Sequence, residues 1–186
     1  MNNFLSKAIW AIVVLLASGT SCAAHPSLSI SAEKLAAATV SLPATWEMEE
    51  VTTERRRQDL GASESYGRYW RPQSTRGSLE LEVYWFESTS SAKQGYRRAL
   101  ELLRRPGFTA PPPTGVTYTS TFADQYRLFC GFPETTPGGC TAVARYVNYV
   151  VITGFLPDDE VTWEQLPTLF GTIDQHIQTV ITQGTQ

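Results

Sequence analysis

Leu79-Glu80-Leu81-Glu82-Val83-Tyr84-Trp85-Phe86 alternates between two sets of side chains. Leu79, Leu81, Val83 and Trp85 fall on one face of a strand, and Glu80, Glu82, Tyr84 and Phe86 on the other. The period then changes. Ser88 to Ser91 reads as a capping region, and Ala92, Tyr96, Ala99, Leu100 and Leu103 recur at helical spacing until Pro106-Gly107 stops the helix.

Downstream, Val116–Thr121 and Gln125–Phe132 read as strands. Pro133–Gly139 is turn chemistry, and Cys140–Tyr146 returns as the partner strand. Tyr149–Phe155 is a further strand, entered through a tight turn at Val147-Asn148 in which Asn tolerates positive φ. Thr162 and Gln165 make a capping-box pattern. Trp163, Leu166, Phe170, Ile173, Ile177 and Val180 then predict a long C-terminal amphipathic helix, with Pro167 blurring its start.

Upstream, Ser31 caps a short helix over Ala32–Ala38. Thr39–Leu42, Trp46–Thr52 and Tyr66–Trp70 read as strands, and the polar stretch Glu54–Ser65 reads as a turn or loop. Strands joined by tight turns pair antiparallel, so the class is α+β with a mostly antiparallel sheet. No repeat of 20–50 residues is present.

The chain has 186 residues, 42% of them apolar and 18% charged, which suits one ordinary domain and not a disordered chain. A net charge of −3 argues against nucleic acid as a partner. Lys7 precedes the apolar run Ala8–Ala17, and Ser18-Gly19-Thr20-Ser21 interrupts it before a membrane span is reached. This is the pattern of an export signal, read as residues 1–21. Gly19-Thr20-Ser21-Cys22 resembles the lipobox of bacterial lipoproteins, apart from Gly19 where Leu is usual. We read Cys22 as the lipidation site; the alternative is cleavage after Ala23 or Ala24. Residues 22–31 form a tether, and residues 32–182 a single domain. The expected location is the cell envelope, at the outer side of the cytoplasmic membrane, or periplasmic or secreted if Cys22 is not lipidated. Either way Cys130 and Cys140 remain as a pair flanking the Pro133–Gly139 turn, and a disulfide between them stabilises by roughly 2–3 kcal/mol.

Val40-Ser41-Leu42-Pro43-Ala44-Thr45-Trp46, the Leu79–Phe86 strand running into the Ala92–Leu103 helix, Cys140–Val151 and the closing helix together resemble PsbP-like domains. These are the α/β/α sandwich family that includes the extrinsic oxygen-evolving-complex protein and many bacterial exported lipoproteins. The resemblance spans about Thr39 to Thr182. It implies a six-stranded, mostly antiparallel sheet between helices, binding or assembly roles, and no shared catalytic residues.

The residues point the same way on catalysis. His25 lies in the tether and His176 on the last helix, neither beside a nucleophile, and no Gly-x-Ser-x-Gly motif occurs. No Cys-x-x-Cys or His-Glu-x-x-His is present, and Asp158-Asp159-Glu160 lacks calcium-loop spacing, so no metal or cofactor is expected. Glu80 and Glu82 are the best enzymatic alternative, as a carboxylate pair for an envelope glycan hydrolase. The ordinary reading is an outward polar strand face. Tyr66, Tyr69, Trp70, Tyr84 and Phe86 read as packing beneath helices rather than an exposed patch. Arg97, Arg98, Arg104 and Arg105 form a helical stripe, joined by the Arg55–Arg57 cluster, suited to an acidic envelope partner or anionic headgroups. The expected function is therefore a non-catalytic binding or assembly module, lipid-anchored to the membrane. A carrier of a small apolar ligand held between sheet and helix is a further alternative.

Overall fold

Strict alternation at Leu79–Phe86 matures into β3 (Ser78–Trp85), which lies inside a six-stranded sheet with helices on both faces. A computed structural model describes residues 29–73, 76–104, 116–131 and 138–184. The export signal, Cys22, His25, most of the tether, Arg105 and residues 133–137 of the expected turn lie outside the described residues.

The elements are α1 (Ala32–Ala36), β1 (Trp46–Val51), α2 (Glu54–Leu60), β2 (Glu64–Pro72), β3, α3 (Thr89–Leu103), β4 (Gln125–Gly131), β5 (Gly139–Tyr146), β6 (Tyr149–Leu156), a 3₁₀ turn (Trp163–Gln165) and α4 (Leu166–Gly184). The strand order is β1-β2-β3-β6-β5-β4, and every neighbouring pair is antiparallel. Two three-stranded meanders thus join through α3, which brings β3 and β6 together at the centre. The class is α+β, as the alternation and turns predict.

Because successive strand residues point to opposite faces, the sheet builds two cores. Leu79, Leu81, Val83, Val151 and Phe155 pack beneath α1 and α4, where Leu35, Phe170, Ile173 and Ile177 are buried. Tyr84, Phe86, Val143, Val150 and Ile152 pack beneath α2 and α3, against Leu60, Ala92, Tyr96 and Ala99. Each fully buried Leu or Ile contributes about 1.5–3 kcal/mol relative to exposure. Gly95 permits close approach of α3 to the sheet: a Cβ there would stand 2.2 Å from the Phe86 ring.

Four local expectations are corrected. Thr39–Leu42 and Val116–Thr121 are not strands; they run as irregular backbone, with Val40, Leu42 and Val116 packed against the core beneath α1 and α4. Glu54–Leu60 is not a loop but α2, ended by Gly61 at φ 73°. The 147–148 turn is present, but Val147, at φ 52°, takes the left-handed conformation rather than Asn148. Asp124 Oδ2 accepts from Val147 N at 2.7 Å and Val147 O accepts from Arg145 Nη1 at 2.8 Å, while Asn148 Nδ2 donates to Phe86 O at 2.8 Å. Those bonds hold the turn in its strained form.

Candidate functional site

The second face of β3 is not an outward polar surface. α2 covers it, leaving Glu82 only 4% exposed. Leu60 anchors α2 in the core, and Arg56 on the same helix reaches down to pair with the Glu82 carboxylate. Tyr84 Oη donates to Glu82 Oε2 at 2.9 Å. Burial, and then the Glu82 charge, push the Tyr84 hydroxyl well above its ordinary range. Gly67 pairs with both Val51 and Glu82 in the sheet. Its missing side chain leaves room for the end of β1, since a Cβ there would meet Val51 and Thr53 at 2.6 and 2.7 Å.

Glu80 lies two residues before Glu82, its carboxylate over Gly154 and 3.8 Å from Arg56 Nη1. Burial first, and then repulsion by Glu82, raise its pKa to about 7, against the pull of Arg56. Two carboxylates thus share one guanidinium, leaving one negative charge without a cation. They stand side by side on one strand face. Glycoside hydrolysis uses carboxyl groups on either side of the bond to be cleaved, and this pair does not have that placement.

A cleft of about 450 Å³ opens beside this group, lined by Thr52, Arg55, Arg56, Asp59, Glu82, Leu102 and Leu103. That volume is in the range of small-molecule clefts. Leu102 is 45% exposed at its wall. Arg55, Arg97, Arg98 and Arg104 are exposed and make no ion pair with any described residue. The stripe is split: Arg98 turns toward α2, where Nη1 donates to Leu60 O at 3.2 Å, while Arg97 and Arg104 share the other side of α3. Of the expected aromatic set, Trp70, Tyr84 and Phe86 are core, and Tyr66 and Tyr69 are half-buried.

The opposite face holds a group that the sequence reading missed. Asp174, on α4, is 2% exposed and accepts from Tyr118 Oη at 2.7 Å, Ser120 Oγ at 2.9 Å and Tyr146 Oη. No described lysine or arginine pairs with it. Burial above all, and the bonds to Asp174, push the Tyr118 and Tyr146 hydroxyls well above their ordinary range. The buried Tyr126 Oη has no hydrogen-bond partner among the described residues, and Tyr126 lines a cavity of about 20 Å³ beside Asp174. That is room for one water, not for an apolar cargo between sheet and α4.

Cys130 and Cys140 face each other across β4 and β5 and are bonded, with Cα atoms 4.1 Å apart. His176 Nε2 lies 3.2 Å from Lys34 O and joins α4 to α1. Asp158 Oδ1 accepts from the backbone of Glu160 and Val161, so that acidic triplet shapes a turn. Among the described residues no group of three His, Cys, Asp or Glu is placed to hold a metal, and no helix is long and apolar enough to cross a membrane.

No family model and no curated protein matches the sequence. Among solved structures, the chain is similar to protein CV1439 from Chromobacterium violaceum, at 8% identity over 81% of this chain and 83% of that one. The TM-score is 0.28, and the likeness carries no argument about this chain.

Proposed function

We propose that the chain is an exported binding or assembly module of the cell envelope, held at the outer side of the cytoplasmic membrane by lipidation of Cys22, and that it works without catalysis. The observation that carries this reading is the set of exposed arginines without ion pairs, Arg55, Arg97, Arg98 and Arg104, around and beyond an open cleft between α2 and α3. Exposed charge without an internal partner is available to an external one. The PsbP-like resemblance, whose members bind and assemble, adds support, as does the order of signal, cysteine and tether in the first 31 residues.

The test is recovery of partners from detergent-solubilised membranes by the wild-type chain and by the R97E/R98E/R104E/R105E variant. A partner held by the wild type and lost by the variant is expected; equal recovery removes the arginines from the reading. Intact mass decides the anchor, because an unmodified chain beginning at Ala24 or His25 leaves only a periplasmic or secreted protein.

A further inference from the structure

Two side chains that line the cleft between α2 and α3 carry opposite charges and have no internal partner. Arg55 and Asp59 are exposed and make no ion pair with each other or with any other described residue. Four residues apart on α2, they share one side of that helix and stand about 6 Å apart along its axis. The deeper charges are already engaged. Arg56 is paired with Glu82, and Tyr84 Oη donates to the same carboxylate. The other wall is apolar: the last turn of α3 supplies Leu102, which is exposed, and Leu103, which is half-buried.

Simpler ligands each fail against part of this arrangement. An anion faces Asp59, together with two carboxylates, Glu80 and Glu82, that share one guanidinium. A cation faces Arg55. An uncharged apolar molecule covers both charges and pairs with neither, which is costly. A ligand with one cation, one anion and apolar bulk satisfies all three features, and the cleft volume of about 450 Å³ suits a small molecule. Length then narrows the class. A single amino acid carries its ammonium and carboxylate on one carbon. Two extended residues set them about 7 Å apart, close to the spacing of Arg55 and Asp59.

We propose that the cleft binds a dipeptide with apolar side chains, its carboxylate on Arg55, its ammonium on Asp59 and its side chains against Leu102 and Leu103. The guanidinium can hold the carboxylate through two parallel bonds. This rests on the reading of the chain as a binding module and names what its cleft takes; it needs neither the lipid anchor nor a membrane partner. The quadruple arginine variant of the earlier test changes neither Arg55 nor Asp59, so loss of a partner and loss of the dipeptide are separate results.

The test is calorimetric titration of the full chain with leucyl-leucine. Saturable binding is expected. Blocking either end of the peptide, as N-acetyl-leucyl-leucine or as leucyl-leucine amide, should raise the Kd at least tenfold, and so should glycyl-glycine, which has no apolar side chain. Free leucine should bind at least tenfold more weakly than the dipeptide. R55Q and D59N should each raise the Kd at least fivefold while keeping the wild-type melting temperature, since both side chains are exposed, and Q175E on α4 should leave it unchanged. Absence of saturable binding overturns the proposal. Equal affinity for the end-blocked peptides overturns the charge pairing without recourse to any variant, as does wild-type affinity in both R55Q and D59N. Leucine binding as tightly as leucyl-leucine overturns the two-residue span.

Discussion

Each face of the sheet buries a carboxylate, and the two are stabilised by different means. On the α2–α3 face Glu82 is met by a charge, Arg56, with Tyr84 as a second donor and Glu80 left over beside them. On the α1–α4 face Asp174 is met by three hydroxyls and no cation. An ion pair at the edge of a cleft retains access to solvent and a group that titrates near neutrality. A hydroxyl cage under a helix retains neither, but ties three separate stretches of chain, at Tyr118–Ser120, Tyr146 and Asp174, to one point. The first arrangement suits a surface that meets partners, and the second suits the layer that holds the fold together.

The largest effect expected from this contrast is at Asp174. D174A removes three charge-assisted bonds and strands buried hydroxyls, for a loss of about 3–4 kcal/mol in urea unfolding. D174N keeps an accepting oxygen and should lose about half as much. A cost below about 1 kcal/mol for D174A would show that the cage is not holding the layer. Next is R56M, which leaves Glu82 buried without its cation. A loss of about 2–3 kcal/mol is expected, below the fully buried case because Arg56 keeps partial exposure. R56M/E82L should recover most of it, since an apolar pair leaves no orphaned charge.

Two glycines sharpen the comparison through packing. Alanine gains about 1 kcal/mol over glycine inside a helix. In α3, a Cβ at Gly95 would overlap the buried Phe86 ring, so G95A should be destabilised by a net amount of about 1–2 kcal/mol. In α4, a Cβ at Gly171 would meet only Tyr118 at an ordinary 3.7 Å, so G171A should gain about 0.5–1 kcal/mol. Thermal melts of the two should move in opposite directions.

The smallest effect is at Glu80. Its pKa is raised in the folded chain, to about 7 from 4.5, so the folded state binds the extra proton between those values. Stability attributable to Glu80 therefore falls as pH rises from about 4.5 to about 7. E80Q should be more stable than wild type at pH 8, by about 1 kcal/mol after allowance for its partial exposure, and equal to it at pH 4.5. Melting temperatures at the two pH values check the sign.

What was legible in the chain follows from which signals are local. β3, α3 and α4 announce themselves because each carries its own period, and the Cys130–Cys140 pairing because a turn separates the two strands. α2 was missed because it buries only Leu60 and so shows no apolar stripe. Good helix formers in Glu54–Leu60, ended by Gly61, were the available sign. Val40 and Val116 misled because an apolar β-branched residue packs against a core from irregular backbone as well as from a strand. Asp174 was out of reach: its partners stand 54, 56 and 28 residues away, and an acid on an amphipathic helix reads as solvated. The Glu80–Glu82 pair was found, but its cover by α2 depended on the helix that was not recognised.

Ile30 N donates to Tyr149 Oη at 2.9 Å and that hydroxyl donates to Ile30 O at 2.7 Å, a clasp with a mechanical consequence. A pull on the chain ahead of Ser29 loads two hydrogen bonds to one phenol, and then α1, a helix of five residues held on β2, β3 and α4. Beyond it the chain has no strand before Trp46. α1 is thus a sacrificial link: its release frees residues 30–45, about 50 Å of extended chain, while all six strands stay paired. Stretching single molecules from the N-terminus should show a low-force step of that length before the sheet ruptures, and Y149F should lower the force at which the step begins while leaving its length unchanged.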